Sequence, residues 1–160
     1  MNNFLITGAS SGIGRELAIR LAARGATLTL NGRSEAKLAD VASTCTGAAS
    51  VSIVAADITA PGAAESLLAS AVQSMGAIDC VIHCAGIGLI KPAADTTDAE
   101  FTKIVNINLR GTFLVARESC RIMAAQKHGL FITLPGILGK AVMKNAAAYI
   151  ASKFGVTGLI

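Results

Sequence analysis

Short apolar runs alternate with longer stretches of helical spacing along this chain. Five runs read as strands: Asn3 to Thr7, Thr27 to Asn31, Val51 to Ala55, Ile78 to Cys84 and Leu130 to Leu134. Between them, apolar residues recur every three to four positions. The first predicted helix carries Ile13, Leu17 and Leu21 on one face, and the second begins after Ser34. The third begins near Pro61, which a first turn tolerates because its missing N–H has no partner there anyway. The fourth opens at Thr97 with Glu100 three residues on, a capping-box pattern, and runs to about Gln126 before Gly129. A fifth starts near Asn145 and is still running at the end of the sequence.

Strand and helix taking turns in this way predict parallel strands joined by right-handed crossovers, hence a layered α/β sheet in a single domain over residues 1–160. Ligands of such sheets sit at the carboxyl ends of the strands, where the strand order reverses. Composition agrees with a sheet covered on both faces: 52% of residues are hydrophobic and 15% charged. At 160 residues the chain can bury about two thirds of the surface its unfolded form exposes, without a metal or disulfide staple.

Charge and cysteine content narrow the function classes. The net charge is +4, but the basic residues form no run or stripe and aromatic platforms are missing, so a nucleic-acid partner is not expected. The longest charge-free stretch, Val41 to Ala56, is interrupted by Ser, Thr and Gly and falls short of the roughly 18 to 20 apolar residues of a membrane span. The amino terminus lacks a basic segment ahead of a long apolar run, unlike a secretory signal. Cys45, Cys80, Cys84 and Cys120 show no pattern of a disulfide framework, and a reduced, cytoplasmic setting is expected. Cys80, His83 and Cys84 fall in one apolar run and read as core packing, because positions 80 and 84 are too far apart along a strand to share one ion.

The first strand runs straight into TGASSGIG, residues 7–14, and the first helix begins inside it. Gly8 permits a tight turn, Gly12 lets a ligand approach the backbone, and Gly14 lets helix and strand pack closely. The free amides at the helix start then face an anion, with a pyrophosphate as the natural occupant. Together with CAG at 84–86, NLRG at 108–111 and YIASK at 149–153, in that order and on the expected elements, this turn resembles the ordered motifs of the short-chain dehydrogenase/reductase family over essentially the whole chain. The resemblance implies a doubly wound, Rossmann-type sheet and a nicotinamide dinucleotide held by Gly8, Ser10, Ser11, Gly12, Ile13 and Gly14. It also implies adenine contacts from Asp57 and Ile58, and close backbone approach at Cys84, Ala85 and Gly86. From spacing alone Asp57 serves equally well as a turn or cap ahead of the third helix. Many relatives carry asparagine where Cys84 stands, so a hydrogen bond steadying the central strands is expected to be absent.

The tip of the second strand selects the nucleotide. An acid there would bond the ribose 2′-hydroxyl and repel a 2′-phosphate, but the chain reads Asn31, Gly32, Arg33. A guanidinium beside a small residue suits bidentate phosphate contact, so NADP(H) is expected in preference to NAD(H). Against this, Arg33 also reads as a solvated loop residue with Glu35 close enough to offset its charge.

Tyr149, the only tyrosine, stands four residues before Lys153, so the two share a helix face. Free tyrosine has a pKa near 10. An ammonium about 4 Å from the phenol, at an effective dielectric near 20, favours the phenolate by about 4 kcal/mol. In the family this pair exchanges a proton with the substrate oxygen as hydride moves, so the resemblance gives Tyr149 that role and gives Lys153 the tuning of Tyr149 and a hold on the nicotinamide ribose. Asn108 matches the family asparagine that anchors a water in the proton relay; it also reads as a tolerated polar residue inside the fourth helix. A serine that binds the substrate oxygen is expected thirteen positions before Tyr149, but that position is Gly136, and no Ser or Thr occurs from 134 to 148. Thr133, the nearest hydroxyl, lies within the fifth strand. Loss of such a donor typically costs about 3 to 4 kcal/mol, a hundredfold or more in rate.

Family members usually continue past this helix through further strands that complete the sheet and much of the substrate pocket. The fifth strand is therefore expected to form an open apolar edge, in a fragment of a longer reductase or in a product whose edge a partner covers. Two functions follow: an NADP(H)-dependent oxidoreductase interconverting a small-molecule carbonyl and alcohol, or a cofactor-binding relative with impaired catalysis. Homo-oligomerisation through the fourth and fifth helices is expected from the family.

Overall fold

The computed structural model describes residues 1–160. Five strands, β1 (Asn3–Thr7), β2 (Thr27–Gly32), β3 (Ser50–Ala55), β4 (Cys80–His83) and β5 (Leu130–Thr133), form one wholly parallel sheet in the order β3-β2-β1-β4-β5. Register is continuous through the centre, with Ile6 opposite both Leu30 and Ile82. The helices are α1 (Gly12–Ala22), α2 (Glu35–Thr44), α3 (Ala63–Met75), α4 (Asp98–Val105), α5 (Gly111–Gln126) and α6 (Ala147–Leu159). Order reverses at β1, whose neighbours β2 and β4 lie on opposite sides, so a crevice opens at the carboxyl ends of β1 and β4.

The sheet is buried on both faces through its centre. One core gathers Ile6, Leu28, Leu30, Ile82 and Leu38 with the alanines of α1; the other gathers Leu5, Val81, Leu67, Leu68 and Val115 beneath α3 and α5. Because α1 meets the sheet through Gly14, Ala18 and Ala22, its backbone can lie close to the strands. The predicted face of Ile13, Leu17 and Leu21 is corrected accordingly. Leu17 and Leu21 flank the contact, while Ile13 is 61% exposed at the crevice.

Other boundaries shift for local reasons. Strand β4 starts at Cys80 instead of Ile78, because the Gln126 carboxamide takes both backbone groups of Ile78: Ile78 N donates to Oε1 and Nε2 donates to Ile78 O, each at 3.0 Å. Ser34 caps α2 by accepting from Lys37 N, and Thr97 with Glu100 forms the anticipated capping box. Helix α3 begins at Ala63, after Gly62 in a left-handed conformation, so Pro61 lies ahead of the helix and not in its first turn. The predicted fourth helix is two, α4 and α5, joined by a π-helical segment, Asn106–Arg110, that has Asn108 at its centre. The predicted fifth helix is α6; Asn145 precedes it with φ 62°.

Strand β5 pairs only with β4, and Leu130 and Ile132 are 42% and 37% exposed. A groove of about 340 Å³ runs beside it, between Phe131, Ile132, Thr133 and Pro135 on one side and Val156, Thr157 and Ile160 on the other. Thr133 faces this groove and not the crevice at the switch point. No helix is long and apolar enough to cross a membrane.

Candidate active site

At the switch point lies a cleft of about 300 Å³. Its floor is the glycine-rich turn. Gly8 has φ 66°, and a Cβ there would stand 2.7 Å from Ala85 N and 2.8 Å from the Cys84 carbonyl carbon, so only glycine lets β1 turn against the end of β4. A Cβ at Gly14 would meet Gly8 O at 2.5 Å, which explains why α1 can start directly behind the turn. Gly12 differs: its φ is 53° and the space beside it is open. The N-cap residue Ser11 makes no side-chain cap bond and the first turn of α1 has no acid, leaving its amides directed at the cleft.

One wall comes from the end of β2. Asn31 is buried, and its amide donates to Val54 O and Ala56 O at 3.0 and 3.3 Å, tying β2 to β3. A Cβ on Gly32 would meet Ser10 Oγ at 3.2 Å, so this glycine makes room for the turn. Arg33 is exposed at the rim. Asp57 has the geometry of a turn residue and also borders the cleft. Its Oδ1 accepts from Thr59 N at 2.9 Å and Thr59 Oγ1 at 2.7 Å, closing the turn before α3, while the carboxylate lines the cleft. The Thr59 hydrogen bonds, helped by the positive charge of Arg33, hold its carboxyl below the usual range. Ile58 is 5% exposed and belongs largely to the core, where it packs on Gly111.

The opposite wall follows β4. Cys84 N donates to Thr7 O at 3.2 Å, and Ala85 N donates to Thr7 Oγ1 at 3.3 Å. Thr7 Oγ1 also bonds His83 Nδ1 at 2.8 Å, so a histidine side chain supplies the cross-strand link that the Cys84 side chain does not. Cys80 and His83 are buried as core residues, but Cys84 stands past the strand end and lines the cleft. Burial pushes the Cys84 thiol up to about 11, against the opposing pull of Lys153. Burial, assisted by the Lys153 charge, pushes His83 down to about 4. Its Nε2 has no partner.

Lys153, on α6, reaches the end of the cleft at Gly86, where a Cβ would lie 3.8 Å from Lys153 Nζ, and Tyr149 stands one turn earlier on the same helix; neither side chain is among the residues that line the cleft. The ammonium sits 5.7 Å from the Tyr149 ring centroid and donates to Leu134 O at 2.7 Å. Burial pulls Lys153 below its ordinary range, with Cys84 opposing. Asn108 is 1% exposed. Its Oδ1 accepts from Ile87 N at 2.8 Å, and its Nδ2 donates to Ile87 O at 2.9 Å and Ser152 Oγ at 3.0 Å. Ser152 in turn donates to Tyr149 O at 2.7 Å. The π segment thereby ties the cleft wall at Ile87 to the helix that carries the tyrosine.

Gly8, Ser10, Ser11, Gly12, Ile13, Gly14, Arg33, Asp57, Ile58, Cys84, Ala85 and Gly86 all line one cleft, with Asn108 and Lys153 packed near Gly86 at its end and Tyr149 reaching Lys153 but outside the lining. Sequence reasoning missed Ala56, Ile87, Ile107 and Leu134 as lining residues, and Ser152 as the link to Asn108. Only Ser152 carried a signal, being inside the YIASK run. Gly136 lies outside the cleft lining, with φ 70° and ψ −175° and open space where a Cβ would stand.

The family model described as short chain dehydrogenase matches residues 2–160. Levodione reductase of Leifsonia aquatica is 39% identical over 97% of this chain and 60% of its own length; a 3β-hydroxysteroid dehydrogenase of Mediterraneibacter gnavus is 33% identical over 97% and 56%. Among solved structures, levodione reductase superposes with a TM-score of 0.90 at 36% identity over 99% of this chain and 63% of that one. An NAD⁺-bound xylitol dehydrogenase superposes with 0.94 at 28% identity over 99% and 62%. The chain thus spans about 60% of the length of the levodione reductase it matches. With the glycine turn, the β4 wall and the Tyr149–Lys153 helix face assembled on one parallel sheet, the chain belongs to the short-chain dehydrogenase/reductase family of oxidoreductases.

Proposed function

We propose that the chain holds NADP(H) in the cleft and interconverts a carbonyl and an alcohol at the Tyr149 end. The observation that carries this reading is the placement of Lys153 beside Gly86, where the glycine-floored cleft ends, with the Tyr149 ring centroid 5.7 Å from the Lys153 ammonium. When bound, the nicotinamide supplies or takes up the hydride. Tyr149 gives its proton to the carbonyl oxygen in reduction and recovers it from the alcohol in oxidation. Lys153 steadies the phenolate with its charge and holds the nicotinamide ribose hydroxyls with the donors not committed to Leu134 O. Asn108 acts as a positioning residue: its carboxamide is occupied by Ile87 and Ser152, so any water it anchors must be held through its backbone carbonyl, which already accepts from Thr112 Oγ1.

The first-turn amides of α1 receive the pyrophosphate, Gly12 leaves it room, and the Asp57 carboxylate faces the adenine amino group. Preference for the 2′-phosphate rests on Arg33, the cation at the rim beyond β2, and on the absence of a carboxylate among Asn31, Gly32 and Arg33. The names of the relatives, a reductase of levodione and a dehydrogenase of a 3β-hydroxysteroid, support carbonyl–alcohol chemistry. Phe101, Phe113 and Phe154, each more than two fifths exposed on α4, α5 and α6, support self-association through these helices. Four unpaired thiols support a reduced, cytoplasmic setting.

A second reading, a cofactor-binding protein with impaired turnover, is favoured by Gly136, where the family serine would stand. The experiment that separates them follows NADPH oxidation against a panel of aldehydes and ketones. Turnover abolished by Tyr149→Phe is the expected result; NADPH binding without turnover favours the second reading, and no NADPH binding contradicts both.

A further inference from the structure

We infer that the reacting carbonyl is carried on an apolar body, a ketone or secondary alcohol of hydrocarbon character, seated between the loops that follow β4 and β5. This rests on the function proposed above and names its substrate class. The two loops leave adjacent strand ends and meet: Lys91 N donates to Asn145 O at 2.5 Å. Both are anchored beside the tyrosine helix, through Gly86 against Lys153 Nζ, through Leu134 O on Lys153 Nζ, and through Gly139 O, which accepts from Thr157 Oγ1 at 3.0 Å.

The chemistry of these loops is one-sided. Residues 85–94 and 134–148 contain no Ser, Thr, Asp, Glu, Gln or His; their polar side chains are Lys91, Lys140, Lys144 and Asn145. Lys91 is held by Glu100 at 2.8 Å. Exposed on the same loops are Ile90 (62%), Ile137 (79%), Val142 (83%) and Met143 (44%). A sugar or polyol settling here would lose water from each hydroxyl with only backbone groups, and almost no neutral side-chain donor or acceptor, to replace it. An alkyl or alicyclic body gains from every methylene that leaves water, by about fourfold in affinity per group when fully buried.

The test is calorimetric titration of 2-alkanones of four to eight carbons, with xylulose as the polyol probe, into the full chain at saturating NADP⁺. The same titrations are run on the double variant Ile137→Ser, Val142→Ser, whose positions are exposed enough to leave folding intact. Affinity is expected to rise about threefold to fourfold per added carbon, with xylulose not binding measurably, and the increment is expected to fall to twofold or less in the variant. A flat series, an increment unchanged in the variant, no affinity for any alkanone, or xylulose binding above 2-pentanone would overturn the inference. The activity is read separately: a graded series without NADPH-dependent reduction contradicts the proposed turnover and leaves the apolar seat standing, whereas turnover with a flat series does the reverse.

Discussion

Asn108, on the π-helical segment, donates from Nδ2 to Ser152 Oγ at 3.0 Å, and Ser152 hands the connection on to the carbonyl of Tyr149. Both side chains are buried, at 1% and 0% exposure, so water cannot replace either partner. Removing the serine hydroxyl therefore strands an Asn108 N–H. Ser152→Ala is expected to lower stability by about 1–3 kcal/mol, seen as a lower urea midpoint with an unchanged slope. A midpoint equal to that of the parent chain would show that the contact positions nothing.

Gly8 and Gly12 share a positive φ but face different surroundings, which separates their roles. Gly8→Ala is expected to destabilise the fold by well over the roughly 1–2 kcal/mol of left-handed strain, because its Cβ would press on the Ala85 amide and the Cys84 carbonyl carbon. Gly12→Ala adds only that strain, since nothing lies within 4 Å, but it fills the approach to the helix amides. Thermal unfolding with and without NADPH checks this: Gly8→Ala should depress Tm already in the free protein, and Gly12→Ala chiefly the increment that NADPH adds.

Restoring a serine at position 136 is expected to fail as a rescue. At φ 70° and ψ −175° the backbone lies in a region that is almost exclusively glycine's, so Gly136→Ser carries about 1–3 kcal/mol of strain. Urea unfolding should show that loss, and carbonyl reduction should not rise. A rate gain with undiminished stability would mean that the loop accepts the donor readily.

His83 gives the fold an acid-sensitive point. Its folded pKa, about 4, lies below the ordinary 6.5, so the neutral ring is favoured in the folded state. The stability this contributes is fully present above pH 6.5 and is lost as pH falls through that value toward 4, because the unfolded chain takes up the proton first. The shift corresponds to about 3 kcal/mol over that window. Urea midpoints from pH 7 to pH 4 should fall more steeply for the parent than for His83→Gln; parallel profiles would contradict the assignment.

Much of the fold was legible because short apolar runs bounded by turn residues, alternating with stretches of helical spacing, fit the strands of a doubly covered sheet, and Ser34 and Thr97 cap the helices they precede. What escaped depends on partners distant in sequence. The Gln126 side chain shortens β4 at Ile78, 48 residues away. Small residues pull α1 onto its Gly14–Ala18–Ala22 face, turning Ile13 outward. At the site, the glycines and the Tyr149–Lys153 pair were readable from spacing, since i and i+4 must share a face. The clasp of Asn108 on Ile87 and Ser152 was not, because it requires a π turn that no local propensity announces. Nor was the commitment of Lys153 to Leu134 O, a carbonyl that carries no sequence signature.

Phosphorylated-cofactor recognition by the glycine-floored cleft is tested most directly by calorimetric titration of NADPH and NADH into the parent chain and Arg33→Ala. NADPH is expected to bind at least about tenfold more tightly than NADH, the size of one charge-assisted contact of 1.4 kcal/mol or more, with that margin lost in the variant. NADH binding as tightly as NADPH, or a cleft that takes up neither, would contradict the account.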